Sequence, residues 1–153
     1  MTEKTIPEKA SLETSVSANP IPAKPQPRIT PWAAPLWEAC AQGKLSLPYC
    51  SQCEASFYYP RQWCPQCFNQ DLSWLELSGR GKVYSFSVVH QSPLPSYQDD
   101  VPYVLAIIEL EEGPRMMTNI LNCDVDKVRV DMPVEVTFEE RGDMTIPQFQ
   151  PLK

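Results

Sequence analysis

Four cysteines in the first half of the chain have the spacing of a metal site. Cys50 and Cys53 form one Cys-x-x-Cys pair, and Cys64 and Cys67 form a second pair after a further ten residues. Two residues between cysteines let both sulfurs of a tight turn face one ion, while nearby backbone N–H groups stabilise the thiolates. Four thiolates complete a tetrahedral coordination sphere and leave no position for a reactive water. The spacing therefore predicts a closed metal site with a structural or electron-transfer role.

Disulfides, free thiols and iron are the alternatives for these cysteines. A thioredoxin-like redox role would need a βαβ pattern, which the surrounding sequence lacks. Iron is the stronger alternative, because four thiolates bind Fe as readily as Zn. We expect Zn²⁺ and regard Fe as less favoured, although the spacing fits both metals.

Short elements must hold this site, because the segment is too small to build a core of its own. Residues 57–60 and 72–77 are rich in aromatic and apolar residues and predict two strands. The bound metal then takes the place of a core in a small β-ribbon. Upstream, residues 31–43 predict a short helix that begins at a proline and ends at a glycine.

The predicted helix has an apolar stripe formed by Trp32, Leu36, Ala39 and Cys40, with Trp37 beside it. A helix this short is marginal alone, so the stripe must be covered, either by the ribbon or by a partner chain. Its aromatic content next to a proline-rich tail favours a partner. Cys40 lies outside both pairs, and we expect a buried apolar residue rather than a fifth ligand.

The rest of the chain divides into a lead-in and a barrel. Seven of the 17 prolines lie in the first 35 residues, so residues 1–30 predict a disordered lead-in, and residues 31–77 contain the helix and ribbon. Residues 78–153 begin with a Ser-Gly-Arg-Gly junction and predict five strands, at 82–89, 103–110, 116–121, 134–138 and 146–149. Five short strands without a long amphipathic helix indicate an OB-type barrel, and the fold class is mainly β.

Within the first barrel strand, the alternation predicts Tyr84, Phe86 and Val88 on one face. Residues 91–102 predict a twelve-residue loop, and residues 124–127 a helical turn.

The net charge and the length of the apolar runs limit which partners and which cellular locations we expect for this protein. The net charge is −6, and residues 79–153 contain seven basic against twelve acidic residues, which disfavours a polyanionic partner. Residues 1–19 lack the apolar centre of a secretion signal, and the longest apolar run, 103–108, is too short to cross a bilayer. With cysteines reserved for metal, we expect a protein of the reducing cytoplasm that does not associate with a membrane.

The order of aromatic helix, four-cysteine ribbon and five-stranded barrel resembles a known family. It is similar to the rubredoxin-like zinc-ribbon plus OB-fold proteins that accompany acyl-CoA enzymes, notably thiolases and thiolase-like aldolases. The matching motifs span residues 32–151 and comprise Leu36-Trp37-Glu38, Gly43-Lys44-Leu45, the two cysteine pairs, Ser78-Gly79-Arg80-Gly81-Lys82-Val83-Tyr84-Ser85, Glu109-Leu110-Glu111-Glu112-Gly113 and Pro147-Gln148-Phe149. Members usually carry Gly-Met-Pro before the fourth barrel strand, where this chain has Asp131-Met132-Pro133. In size and proline-rich start the chain resembles the small subunit of benzoylsuccinyl-CoA thiolase.

The resemblance implies a non-catalytic small subunit of a hetero-oligomer, which binds a thiolase-like catalytic subunit and helps to bind the CoA ester. The residues agree, because Claisen-type acyl transfer needs a thiolate beside a histidine base. The chain has one histidine, His90, and outside the ribbon only Cys40 and Cys123 remain as thiols. We therefore expect no catalytic residue here, and we expect the ribbon and helix to dock on the partner.

Four residues are candidates for contact with the CoA ester, which needs a few cations for its phosphates and an apolar channel. Arg80 and Lys82 lie at the junction, and His90 and Tyr97 border the long loop. A solvated turn is the alternative for Arg80 and Lys82, and an ordinary strand end for His90.

A single-stranded nucleic-acid module is the alternative function, since zinc ribbons and OB barrels bind strands through stacked aromatics in a basic groove. Tyr84, Phe86, Tyr97 and Tyr103 could stack, but no Lys or Arg occurs between Val83 and Arg115. A one-electron carrier is less favoured, because the barrel has no use in it.

Overall fold

A computed structural model describes residues 23–153, so most of the predicted lead-in, residues 1–22, lies outside the described residues. The described part forms one α-helix, eight strands and two 3₁₀ turns. In chain order these are α1 (Ala34–Ala41), β1 (Ser46–Cys50), β2 (Ala55–Ser56), β3 (Leu72–Glu76), β4 (Arg80–Val89), a 3₁₀ turn (Pro95–Asp100), β5 (Tyr103–Leu110), β6 (Arg115–Ile120), a second 3₁₀ turn (Val125–Lys127), β7 (Pro133–Arg141) and β8 (Met144–Pro151). Within residues 23–153, no helix has the length and apolar character needed to cross a membrane.

The strands form two sheets, and they confirm the predicted fold class. β1 lies between β2 and β3 in an antiparallel three-stranded sheet, and the five later strands close a barrel in the order β4-β5-β6-β8-β7. All barrel pairings are antiparallel except the one that closes it, where Ile120 of β6 pairs with Phe149 of β8 in parallel. The predicted boundary at residues 77 and 78 lies between β3 and β4.

Helix α1 shares one continuous core with both sheets. Leu36, Trp37 and Cys40 are buried together with Leu47 of β1 and Phe149 of β8. The chain itself therefore covers the apolar face of the helix, and Cys40 is a buried core residue, as predicted. The expected stripe is wrong in one respect, because Trp32 is exposed and Trp37 is buried. The helix begins only at Ala34, so Trp32 lies in the preceding turn and does not follow the helical spacing.

The ribbon differs from the expected one in its strands. Residues 57–60 are not a strand, because β2 pairs with β1 only as far as Ser56 opposite Tyr49. Tyr58 and Tyr59 instead turn toward the helix, and the Tyr59 ring lies 6.4 Å from Trp37. The central strand β1 escaped prediction because it contains Pro48, a residue rarely found inside a sheet.

Strand β4 contains a β-bulge that changes which residues face the core. Its register with β5 shifts between Val83 and Ser85, so the intervening Tyr84 has no partner of its own. Val83 is fully buried, Tyr84 is exposed, and Phe86 and Val88 pack against the core. The prediction that Tyr84 shares a face with Phe86 is therefore wrong, because a bulge inserts one extra residue and reverses the alternation.

Two loops and the segment before the helix also position side chains. The loop at 91–102 contains the first 3₁₀ turn, and Asp131 adopts φ 61° with its N–H donating to the Val83 carbonyl. Asp131 thus adopts the left-handed conformation that glycine adopts more easily.

Contacts with the barrel extend N-terminal to Pro31, since Gln26 Nε2 donates to the Arg141 carbonyl at 2.6 Å.

Candidate functional site

The four predicted ligands lie on two tight turns at one end of the ribbon. Cys50 ends β1 and Cys53 follows in the turn to β2, whereas Cys64 and Cys67 lie in the connection to β3. In each turn, the residue after the second cysteine has a positive φ. These two residues, Glu54 and Phe68, reverse the chain direction so that both sulfurs of a pair face the same point.

The sulfur positions fit a tetrahedral metal ion. The Sγ atoms of Cys50 and Cys67 are 3.6 Å apart, those of Cys53 and Cys64 are 3.7 Å apart, and all four lie within 4.8 Å of one another. A tetrahedron with metal–sulfur bonds of about 2.3 Å has edges of about 3.8 Å. The donor set and its size therefore match a metal centre of four thiolates.

The electrostatics of the four sulfurs also call for a cation. Burial raises the pKa of Cys50, but backbone N–H groups of Cys53 and Gln52 and the neighbouring sulfurs outweigh it and lower that pKa to about 7. The Cys67 sulfur is the main cause that raises the pKa of Cys53 to about 12. Ionised and neutral sulfurs would therefore coexist without metal, and a divalent cation lets all four ionise.

The remaining thiols and the histidine do not form a catalytic pair. Burial raises the pKa of Cys40 to about 12, which leaves the thiol neutral and unreactive beneath the helix. Cys123 donates to the carbonyl of Asp124 at 3.4 Å, and His90 is exposed just after β4. No hydrogen bond joins His90 to either thiol within residues 23–153, and no thiolate–histidine nucleophile is present in this part of the chain.

The four candidate CoA contacts fall at two ends of the barrel. Arg80 and Lys82 begin β4, opposite Glu135 and Pro133 of β7. Val89, which precedes His90, pairs with Tyr103, and the Tyr103 ring lies 6.0 Å from that of Tyr97. About seven strand residues separate Lys82 from this end, or about 24 Å. The structure thus brings Arg80 near Lys82 and places His90 and Tyr97 at the opposite end of the barrel, but it does not bring the two pairs together.

The two cations at the junction have different surroundings. Lys82 Nζ lies 3.2 Å from an Asp131 carboxylate oxygen and 3.5 Å from one of Glu109, so its charge is largely balanced. Arg80 is exposed, and its guanidinium makes no ion pair with any residue of the described part. Arg80 is therefore the more available cation of the two.

Tyr97 belongs to a polar cluster that lines a cavity of about 440 Å³ at the mouth of the barrel. Arg141 Nη1 donates to the Tyr97 hydroxyl at 3.1 Å, and Arg141 Nη2 lies 2.9 Å from Glu139. Lys24 Nζ is 2.6 Å from Asp100 across the same opening. These charged residues escaped sequence analysis because Lys24, Asp100 and the Glu139–Arg141 pair are at least 39 positions apart from one another and share no motif.

The charges of this cluster compensate one another, which bears on nucleic-acid binding. Lys24 and Arg141 are the cations beside the Tyr97 ring, and each is paired with a carboxylate, Asp100 or Glu139. A single-strand site needs aromatic rings in a groove of net positive charge. The barrel mouth has the rings but lacks the net charge.

Family models match most of the described chain in two consecutive pieces. Residues 37–73 match the model described as "ChsH2, rubredoxin-like zinc ribbon domain". Residues 74–139 match the model described as "ChsH2, C-terminal OB-fold domain". The two pieces correspond to the ribbon with its metal centre and to the barrel.

Several curated relatives share this arrangement. A "DUF35 domain-containing scaffold protein" of Methanocaldococcus jannaschii is 41% identical over 98 residues, covering 61% of this chain and 69% of the relative. The "Benzoylsuccinyl-CoA thiolase subunit BbsA" of Geobacter metallireducens is 32% identical over 120 residues, covering 74% and 76%. A "Probable enoyl-CoA hydratase alpha subunit" of Thermomonospora curvata is 36% identical over 84% of this chain, which spans only 40% of that longer protein.

Among solved structures, the chain is similar to one from the "Ltp2-ChsH2(DUF35) aldolase", with a TM-score of 0.73 and 35% identity over 82% of this chain and 98% of that one. Sequence, fold and the four-cysteine cluster agree, and the resemblance drawn from the motifs is confirmed. The chain belongs to the ChsH2 family of proteins, also named DUF35, which join a rubredoxin-like zinc ribbon to an OB-fold barrel.

Proposed function

We propose that this chain is a non-catalytic small subunit of a thiolase-type acyl-CoA complex. It docks on a thiolase-like catalytic subunit and helps to bind the CoA ester during cleavage or formation of a C–C bond. The observation that carries the proposal is the likeness to the ChsH2 chain of a two-component aldolase, which this chain covers almost completely. The relative named as a benzoylsuccinyl-CoA thiolase subunit supports the same role.

The metal centre in this proposal holds Zn²⁺ and has a structural role. Zinc bound by four thiolates is closed to substrate and supplies folding free energy. Cys50, Cys53, Cys64 and Cys67 would hold the ion and keep the two turns of the ribbon together. Cysteines that bind a metal rather than form disulfides are typical of a reducing compartment, so we expect the complex in the cytoplasm.

The chain's own residues would bind and orient the CoA ester, and the nucleophile would come from the partner. We assign a phosphate contact to Arg80, the exposed cation of the junction that has no ion pair within residues 23–153, ahead of Lys82, whose charge Asp131 and Glu109 already balance. His90 and Tyr97 would contact the ester from the opposite end of the barrel, where Tyr97 lines the cavity at its mouth.

Co-expression with a thiolase-like catalytic chain tests the function. We expect the two proteins to co-purify at a fixed ratio, and we expect turnover of the CoA ester to require both. A thiolase-like chain that purifies alone and turns over equally well without this protein would refute the proposal. Metal analysis by emission spectrometry of the same preparation should find one zinc ion per chain, whereas stoichiometric iron would contradict the assignment of the metal.

A substitution in the complex tests the CoA contact. Arg80→Ala should raise KM for the CoA ester several-fold with kcat little changed, because a phosphate contact binds substrate and transition state alike. Arg129→Ala is the matched control, since it removes an exposed arginine at another place on the barrel. Equal KM values for the two variants would exclude Arg80 as a contact.

A further inference from the structure

Strand β5 is apolar on both of its faces. Its inward residues are Val104, Ala106, Ile108 and Leu110, all buried in the barrel. Its outward positions, however, include Leu105 and Ile107, each 38% exposed. An antiparallel strand with one face in water normally alternates apolar and polar residues. The composition of β5 is that of a strand covered on both sides.

Neighbouring strands extend this outward apolar surface. Ile107 pairs directly with Met117 of β6, whose side chain is 61% exposed. On the other side, Ile107 pairs with Ser85 of β4, a small residue that leaves the surface flat. Contiguous exposed apolar residues on a folded domain mark interaction sites more often than isolated ones do.

The bulge in β4 adds an aromatic ring to the same surface. Without the register shift, Tyr84 would alternate with Val83 and Ser85 in regular pairs, but the bulge leaves it unpaired and 44% exposed. The guanidinium carbon of Arg115 lies 3.5 Å from the centre of its ring, which holds the ring in place. Bulges often re-aim a side chain next to a functional site. We define Tyr84, Leu105, Ile107 and Met117 as the outer barrel face.

An aromatic groove continues the outer barrel face toward the ribbon. Leu105 and Met117 also line a groove of about 420 Å³, whose other wall includes Trp37, Tyr58 and Tyr59. Protein interfaces combine an apolar centre with aromatic residues and a polar rim. The surface therefore runs from the barrel to the junction with the ribbon and helix.

The rim of the outer barrel face indicates the kind of partner. Glu109 pairs with Arg115 at 2.8 Å and with Lys82, and Glu111 and Glu112 follow in the turn after β5. Arg80 belongs to the same margin, since its carbonyl accepts the Glu111 N–H, and Asp131 pairs with Lys82. Four carboxylates against three cations leave a weakly acidic margin, which disfavours a polyanion. A second copy would bring the same acidic margin and a net charge of −6 against this one. The surface is complementary to a protein with an apolar centre and a basic margin.

We propose that the outer barrel face is the docking surface for the catalytic subunit, through an apolar patch with a basic margin on that subunit. The proposal rests on the proposed function and goes beyond it, because it assigns docking to the barrel rather than to the helix. The apolar face of helix α1 is buried in the chain's own core. Within residues 23–153, the patch on β4, β5 and β6 remains exposed and is available to a partner.

Binding of the metal-loaded full chain to the purified catalytic subunit, measured by isothermal titration, tests this docking surface. We expect Ile107→Glu and Met117→Glu each to weaken binding by about tenfold or more, since a charge buried at an apolar centre lacks a partner. Leu152→Glu is the matched control, because Leu152 is 40% exposed and lies after β8, on another side of the barrel, and we expect unchanged affinity. Thermal unfolding of each variant checks that it folds.

Hydroxyl-radical footprinting of the wild-type pair gives a second readout that needs no variant. Oxidation of Met117 should slow when the catalytic subunit is present, whereas Met116, which is 1% exposed, should remain protected throughout. Absence of any wild-type binding would overturn the proposed function and the docking surface with it. If the wild-type protein bound the catalytic subunit, but the Glu variants bound equally well and Met117 was not protected from oxidation, the docking surface alone would be overturned. If the Glu variants lost self-association but still bound the catalytic subunit, the outer barrel face would be a contact between copies of this chain. That result would also overturn the proposed docking surface.

Discussion

Gly79, in the junction between ribbon and barrel, offers a quantitative test of how tightly the two parts are joined. Its φ is +72°, and its carbonyl accepts the Val136 N–H at 2.7 Å. A methyl group at this position would overlap Cγ1 of Val136. Because Val136 is β-branched, its side chain has few other rotamers available. Gly79→Ala therefore adds a steric conflict to the cost of a left-handed alanine.

The two costs can be separated with a second glycine. Gly43 has the same φ of +72° and nothing within 4 Å of an added Cβ, so Gly43→Ala carries only the backbone cost. That cost is about 1–2 kcal/mol, reduced by about 0.5 kcal/mol because alanine restricts the unfolded chain. Overpacking adds about 1–3 kcal/mol. We expect losses of about 1 kcal/mol for Gly43→Ala and about 2–4 kcal/mol for Gly79→Ala, following these two terms.

Urea unfolding of metal-loaded protein measures both free energies, and a double-mutant cycle isolates the contact with Val136. In a Val136→Ala background, the additional loss caused by Gly79→Ala should fall toward that of Gly43→Ala but stay somewhat above it, because Cγ1 is removed while the Cβ of residue 136 remains 3.3 Å from the added methyl group. Equal losses for the two glycine variants in the wild-type background, or no recovery with Val136→Ala, would refute the reasoning.

Three further predictions concern the sulfurs and the barrel mouth. Cys64→Ser should abolish stoichiometric zinc and lower the melting temperature, whereas retention of one ion per chain would contradict a four-thiolate site. Iodoacetamide at pH 8 should label Cys123 but leave Cys40 intact in the native protein, as mass spectrometry can verify, because burial raises the pKa of Cys40 to about 12. Burial raises the pKa of Glu139, but hydrogen bonds from Gln148 and Arg141 outweigh it and keep that pKa below its ordinary value. Its ionised form therefore stabilises the fold above about pH 4.3, and this stability is lost as the pH falls through the folded pKa. Urea midpoints should decline less between pH 6 and pH 3.5 in Glu139→Gln, and identical declines would contradict the assignment.

Features with a local cause were accessible from the sequence. The cluster of Cys50, Cys53, Cys64 and Cys67 was recognisable because the geometry of a Cys-x-x-Cys turn depends only on its own few residues. Strand β5 and its turn were recognisable from a run of apolar residues ended by turn-forming ones. The composition of these segments determined the ribbon, the barrel and the family.

Other features depend on residues that are distant in the chain. The positions of Trp32 and Trp37 follow from where the helix begins and from which strands it meets. The polar cluster of Lys24 and Arg141 exists only because the segment before the helix crosses the mouth of the barrel. No local pattern encodes such a crossing.

The strand order of the barrel and one β-bulge decided which candidate residues lie together and which side chains face the core. Residue types alone nominated Arg80, Lys82, His90 and Tyr97 as one group, but β4 spans the barrel and holds the first two far from the others. A single extra residue at Tyr84 turned its side chain outward, away from the face that it was predicted to share with Phe86. Side-chain spacing along a strand is a property of the sequence, whereas the face that meets the core is chosen only when the strands pair and the barrel closes.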